Sequence, residues 1–179
     1  MNNSYLLQYF IPMERTLILL KPDALQRAIA GEIITRFERV GLKIVAAKII
    51  QPTEEEYYHH YETIGKMISR RGQEAFDVTL KFMQEGPVMA MVLEGVEAVS
   101  LVRKMVGTTE PKAAEPGTIR GDFSHISFSY ANEKNLSIPN LIHASGDPEE
   151  AKAEIDHWFK KEEIFNYDTV HDKFTQGKK

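Results

Sequence analysis

His143, Ser145 and Glu154 are the residues of this chain whose types and spacing most readily do chemistry. A short apolar run, Leu141 and Ile142 after Asn140, delivers His143 to its end, and Ser145 lies two residues on. The segment behind it reads as a helix. Asp147 can cap its first turn, Pro148 suits the first helical position, and Glu149 and Glu150 favour the positive end of the dipole. Ala151, Ile155, Trp158 and Phe159 recur at helical spacing as a buried stripe. Glu154 sits at the border of that stripe, so its carboxylate needs a partner. A carboxylate that fixes an imidazole in one tautomer would make His143 a directed nucleophile. Taken alone, a structural histidine near a strand end and a Glu154–lysine pair explain the same residues.

Several cations widen the pattern, and all suit phosphate. Lys21 stands where an apolar run ends, in the stiff turn Lys21-Pro22-Asp23, which is expected to point its charge from the sheet edge. Arg103 shares a helical face with Val96, Val99 and Val106, so its guanidinium must reach past apolar neighbours to a carboxylate or a phosphate. Arg120 lies between Gly117 and Gly121, where backbone can approach a ligand closely, and Thr108 and Thr109 add hydroxyl donors.

The elements that must position these residues alternate. Residues 16–20, 42–50 and 88–93 read as buried strands, and a further strand carries His143. Helices are expected over 32–40, from the Thr53-x-x-Glu56 capping box through Tyr61, over 73–83, over 96–106 and behind His143, with a Pro/Gly/Thr loop at 108–122. Strands interleaved with helices fit an α/β, or α+β, sandwich that includes the split βαβ of ferredoxin-like folds.

The length of 179 residues fits one domain, and with no cysteine there is no disulfide, thiolate metal site or thiol nucleophile. With no disulfide to call for an oxidising compartment, the cytoplasm is the expected one, and a net charge of −4 gives no footprint for nonspecific nucleic-acid or membrane binding. Residues 1–12 read as an N-terminal extension whose apolar run is too short to span a bilayer, and residues 13–179 as the domain.

Nearly throughout, from Glu14 onward, the chain resembles the nucleoside diphosphate kinase family. The resemblance is carried by Glu14-Arg15-Thr16, Lys21-Pro22-Asp23, Gly31-Glu32-Ile33-Ile34, His60-Tyr61, Gly86-Pro87-Val88, Gly107-Thr108-Thr109-Glu110-Pro111, Pro116-Gly117-Thr118-Ile119-Arg120-Gly121-Asp122-Phe123 and Asn140-Leu141-Ile142-His143. It implies a ferredoxin-like βαββαβ fold with a four-stranded antiparallel sheet. It also implies a Mg2+-dependent ping-pong exchange, in which His143 takes the γ-phosphate of a nucleoside triphosphate such as ATP and passes it to a diphosphate. By the family pattern Tyr61 helps at the phosphate end, Arg103 and Thr109 hold the β-phosphate, and Arg120 meets the transferred group. Lys21 and Asn140 bind the sugar hydroxyl, with Lys21 also reaching phosphate, while Ser145 and Glu154 orient the histidine. Both ribo- and deoxyribonucleotides are expected as substrates, and self-association as a homohexamer, with a tetramer or dimer as the alternative.

The chain departs from the pattern in three places. Ala144 and Gly146 flank Ser145, so the aspartate associated with the metal's waters is missing and Asp147 is the substitute, with the Mg2+ held mainly by nucleotide phosphates. The base-stacking phenylalanine falls on Ala75, which leaves Phe76 as the candidate beside it. Residues 124–139 are longer than the family's connection, and the alternation of Ile126, Phe128 and Tyr130 with His125, Ser127 and Ser129 reads as a hairpin at the rim of the nucleotide cleft. Two rival classes stand beside this reading. One is a nucleotide-binding or phosphohistidine signalling protein without turnover. The other is a metal hydrolase built from His59, His60, His125, His157 and His171, which lack ligand spacing and read as solvated surface residues.

Overall fold

The computed structural model describes residues 13–175, so the extension at 1–12 and the last four residues lie outside it. Strands β1 (Met13–Leu20), β2 (Lys43–Ile50), β3 (Val88–Val96) and β4 (Ile142–Ala144) form one sheet in the order β2-β3-β1-β4, and every neighbouring pair is antiparallel. Helices α1 (Pro22–Gln26) and α2 (Ala30–Arg39) follow β1. After β2, α3 (Glu54–Tyr58) runs into a wide π-helical turn at His59–Ile64, then α4 (Met67–Arg71) and α5 (Gln73–Met83). Helix α6 (Ala98–Val106) follows β3, α7 (Ile119–Phe123) and α8 (Phe128–Glu133) precede β4, and α9 (Pro148–Trp158) and α10 (Asp172–Thr175) close the chain. This is the expected α+β sandwich with ferredoxin-like strand order.

The central stretches of β1 and β3, Leu17–Leu20 and Val88–Leu93, are apolar without interruption because the sheet is covered on both faces. Ile18 and Leu20 turn toward Ile33 and Phe37 of α2 and Val102 of α6, whereas Leu17 and Leu19 meet Tyr57 of α3 and Ile155 and Trp158 of α9. Lys21 therefore ends an inner strand, not an outer one, and its side chain is buried. That corrects the reading of a charge pointed from the sheet edge.

The hairpin expected at 124–139 is a helix. Ser127 Oγ accepts the Tyr130 N–H and caps α8. At its other end Asn135 adopts a left-handed φ of 48°, while the Asn135 and Leu136 N–H groups close back onto the Asn132 and Ala131 carbonyls. Alternation over so few residues fits a capped helical turn as well as a strand, and the cap decides. The loop at 108–122 likewise holds a short turn at Pro111–Ala113 and the start of α7.

Candidate active site

β4 is only three residues long, yet its entry is fixed from three sides. Leu141 holds a positive φ of 72°, and the Ile142 N–H reaches the Asn140 carbonyl at 2.8 Å, which makes a γ-turn. The Asp23 carboxylate accepts the Leu141 N–H at 3.0 Å, and the Lys21 N–H donates to the Leu141 carbonyl at 2.9 Å. A leucine in this conformation is strained and persists because its surroundings over-determine it. β4 then pairs with β1, which sets His143 opposite Leu19.

Behind His143 the polar groups form a closed chain. His143 Nε2 lies 2.8 Å from Glu154 Oε1, and Ser145 Oγ donates to Glu154 Oε2 at 2.6 Å. The Leu17 N–H donates to Ser145 Oγ, which ties the chain to the central strand. His60 stands beside them, with its ring centre 4.5 Å from that of His143 and its Nδ1 accepting from Trp158 Nε1 at 3.2 Å. Burial pushes the Glu154 carboxyl up, but the His143 imidazole, its hydrogen bond, His60 and Ser145 outweigh this and hold it down to about 2. An ionised carboxylate accepts, so His143 donates through Nε2–H and Nδ1 keeps its lone pair. Burial, then His143, drives His60 well below the usual imidazole range and keeps it neutral.

In front of His143 lies a cavity of about 280 Å³ whose walls include Lys21, Tyr61, Arg103, Thr109, Arg120 and Asn140. Lys21 Nζ donates to Asn140 Oδ1 at 2.8 Å, and Asn140 Nδ2 donates to the Thr109 carbonyl at 3.0 Å, so one amide ties β1 to the loop after α6. Arg120 is buried and binds the carbonyls of Asn140, Gly107 and Ile142. Three of its five N–H groups are thereby used. Gly107 admits this closure: its φ is 84°, and a Cβ there would lie 2.6 Å from Thr118 Oγ1. Burial, then the neighbouring Arg120 charge, lowers Lys21 to about 8. Burial, then Arg103 and Arg71, lowers Arg120 to about 10. The Tyr61 hydroxyl is buried without a hydrogen-bond partner among the described residues, and burial raises its pKa.

Four sequence expectations are corrected here. Phe76 is buried against Tyr58 and does not line the cavity, because α5 turns Phe76 and Met83 inward and leaves Ala75 and Thr79 toward the cleft region. Asp147 caps α9 by accepting the Glu150 N–H at 2.8 Å and is absent from the cavity wall. The carboxylate that faces the cavity from this turn is Glu150, which accepts the Gly146 N–H at 2.7 Å; a Cβ at position 146 would collide with it. Arg103 is exposed beside the buried Ala98–Val99–Val102–Val106 face, and Val96 belongs to β3. Its Nη1 approaches the Ser145 carbonyl at 3.5 Å. His60, read with the surface histidines, is buried and joins His143 and Glu154 in the one group of three metal-capable side chains among the described residues. Its only sequence signal is helical spacing from Tyr57 on the buried face of the Thr53-capped segment.

Residues 14–164 match the family described as nucleoside diphosphate kinase. A protein of that name from Borreliella burgdorferi is 47% identical over 155 residues, covering 87% of this chain and 92% of its own length. One from Pyrococcus furiosus is 44% identical over 167 residues, covering 93% of this chain and 96% of its own. Among solved structures, a transition-state mimic of the nucleoside-diphosphate kinase from Borrelia burgdorferi with bound vanadate and ADP superposes with a TM-score of 0.88 at 44% identity, covering 92% of this chain and 97% of that one. An NDP kinase from Pyrobaculum aerophilum gives 0.78 at 38% identity, covering 87% and 100%.

Proposed function

The chain belongs to the nucleoside diphosphate kinase family, and from that premise we propose that it carries the γ-phosphate of ATP to nucleoside diphosphates through a phosphohistidine on His143. The observation that carries this reading is the free Nδ1 of an imidazole locked by Glu154, at the wall of a cavity rich in cations. In the first half-reaction the Nδ1 lone pair attacks the γ-phosphorus, the bond to the β-bridging oxygen breaks, and ADP leaves with the electron pair. In the second, an oxygen of the acceptor's β-phosphate attacks the phosphorus and the P–N bond breaks, which returns the lone pair to Nδ1. Glu154 offsets the positive charge that imidazole gains while phosphorylated, and Ser145 holds Glu154. Phosphoryl transfer asks the protein chiefly for position and charge, which Lys21, Arg103 and Arg120 supply, with Tyr61, Thr109 and Asn140 as neutral contacts to phosphate and sugar.

Mg2+ fits this site as an ion held by the nucleotide. Both carboxylates on the cavity wall already have partners, Glu154 in His143 and Ser145, Glu150 in the Gly146 N–H. Bound to phosphate oxygens, the ion would neutralise charge on the transferring group, and Glu150, not Asp147, would face its water shell. Base discrimination is expected to be poor, with purines and pyrimidines and both ribo- and deoxyribonucleotides accepted, and Ala75 in place of a stacking ring is expected to weaken base affinity. We also infer a cytoplasmic homo-oligomer, a hexamer by family resemblance, which sedimentation would check.

Incubation with γ-labelled ATP and Mg2+, removal of nucleotide and addition of unlabelled GDP tests the reading. The label should settle on the protein and then appear as GTP. Full exchange in His143→Ala would overturn it.

A further inference from the structure

The cavity beside His143 continues into a second hollow of about 460 Å³ between α4, α5 and α8. The two share Met67, Arg71, Thr79, Ser137 and Ile138, so Arg71 is the one charged residue on both walls. It ends α4, a five-residue helix bracketed by left-handed Lys66 (φ 49°) and Gly72 (φ 90°). Its guanidinium carbon lies 6.0 Å from the centre of the Phe128 ring, within reach of a cation–π contact. Phe128 is itself fixed: its N–H donates to Glu110 Oε1 at 2.9 Å, and the Lys112 N–H donates to the Ile126 carbonyl at 3.1 Å. The segment at 124–139 is thus stitched to the loop that carries Thr109. No acidic side chain pairs with Arg71 among the described residues, although its charge bears unfavourably on both Lys21 and Arg120. A cation held near like charges without an anion is placed for an anionic ligand.

We propose that Arg71 is a fourth cationic contact to the nucleotide's phosphate chain, and that Phe128 is a positioning residue that holds the guanidinium at the cleft through its ring face. This rests on the kinase reading above and gives the segment at 124–139 a task within it. Arg71 gathers the phosphates from α4 as Arg103 does from α6, and helps the bound and the transferring states alike.

Titrating ADP, AMP and adenosine into the wild-type protein and variants by calorimetry, beside kcat and KM for exchange, tests this. Arg71→Gln should weaken ADP about tenfold, AMP less and adenosine not at all, with KM raised and kcat kept. Phe128→Leu should weaken ADP about threefold, Phe128→Tyr should restore it, and Phe128→Leu should add nothing in the Arg71→Gln background. Unchanged ADP affinity in Arg71→Gln would overturn the proposal, as would an equal loss for adenosine, which means base stacking. An undiminished Phe128→Leu effect in the double variant would remove Phe128's role. Failure of the wild-type protein to move phosphate from ATP to GDP counts against the kinase reading alone, because Arg71's contribution is read from ADP binding.

Discussion

On one side of His143, Glu154 spends both oxygens on His143 and Ser145, Ser145 reaches the central strand, and His60 is held by Trp158. On the other side, Lys21, Arg103, Arg120 and Arg71 line a cavity with no acidic side chain bonded to any of them among the described residues. One side is closed, with only the buried His60 Nε2 lacking a hydrogen-bond partner among the polar groups named, and it fixes an atom. The other is left without an anion, and burial, then the neighbouring arginine charges, depresses Lys21 and Arg120. Preorganised charge in a partly dry site costs the free protein and favours the phosphate-filled one.

Removing the atom that divides the two sides should have the largest effect. His143→Ala should lower exchange by about 10⁴ while nucleotide still binds, since the cations remain. Equal loss of binding and turnover in a calorimetric and kinetic comparison would show that the two sides are not separable.

Opening the closed side comes next. Glu154→Gln should lower kcat by about 10² to 10³, with a smaller change in ADP affinity. The same residue makes a stability prediction. Its folded pKa, about 2, lies below the ordinary glutamate value of 4.5, so its contribution is present above about 4.5 and is lost as pH falls toward 2. Urea unfolding of the wild-type protein and Glu154→Gln should therefore differ above that range and converge as pH falls through it. A constant difference would contradict a Glu154 carboxylate kept ionised by its partners.

Filling the incomplete side should move protons. With Lys21 near 8 in the free protein, a bound phosphate chain should raise its pKa, so ADP binding near pH 8.5 should take up a fraction of a proton and weaken as pH rises further. In the protein without ligand the sign reverses. A lysine depressed below its unfolded value favours folding more as pH rises from about 8 toward 10.5. Calorimetry in buffers of different ionisation heat measures the uptake, and its persistence in Lys21→Met would assign it elsewhere.

Much of the closed side was legible in the sequence, and less of the open one. Helix α9 shows itself through Asp147, Pro148 and the Ala151–Ile155–Trp158 stripe, which places Glu154 at an edge where it must find a partner. β1 and β3 read as apolar runs because both faces of the sheet are covered. Helix α5 spans the expected residues, but which of Ala75 and Phe76 faces the cleft depends on packing against Tyr58. His60 gives no local sign of burial beyond its helical spacing from Tyr57, because Trp158, far along the chain, encloses it. The left-handed leucine at 141 has no sequence signature either, being imposed by Asp23 and Lys21. In 124–139 the apolar alternation competed with a cap at Ser127, and the cap won.

That correction carries the smallest effect. Ser127→Ala should cost about 1 kcal/mol of stability and speed hydrogen exchange at the amides of Phe128–Glu133. A hairpin there would leave both unchanged.

The position of the phosphate on the imidazole tests the division around His143 most directly. With Glu154 holding Nε2, ³¹P NMR of the protein after reaction with ATP should show phosphate on His143 Nδ1 and nowhere else. Phosphate on Nε2, or on Ser145, would contradict it.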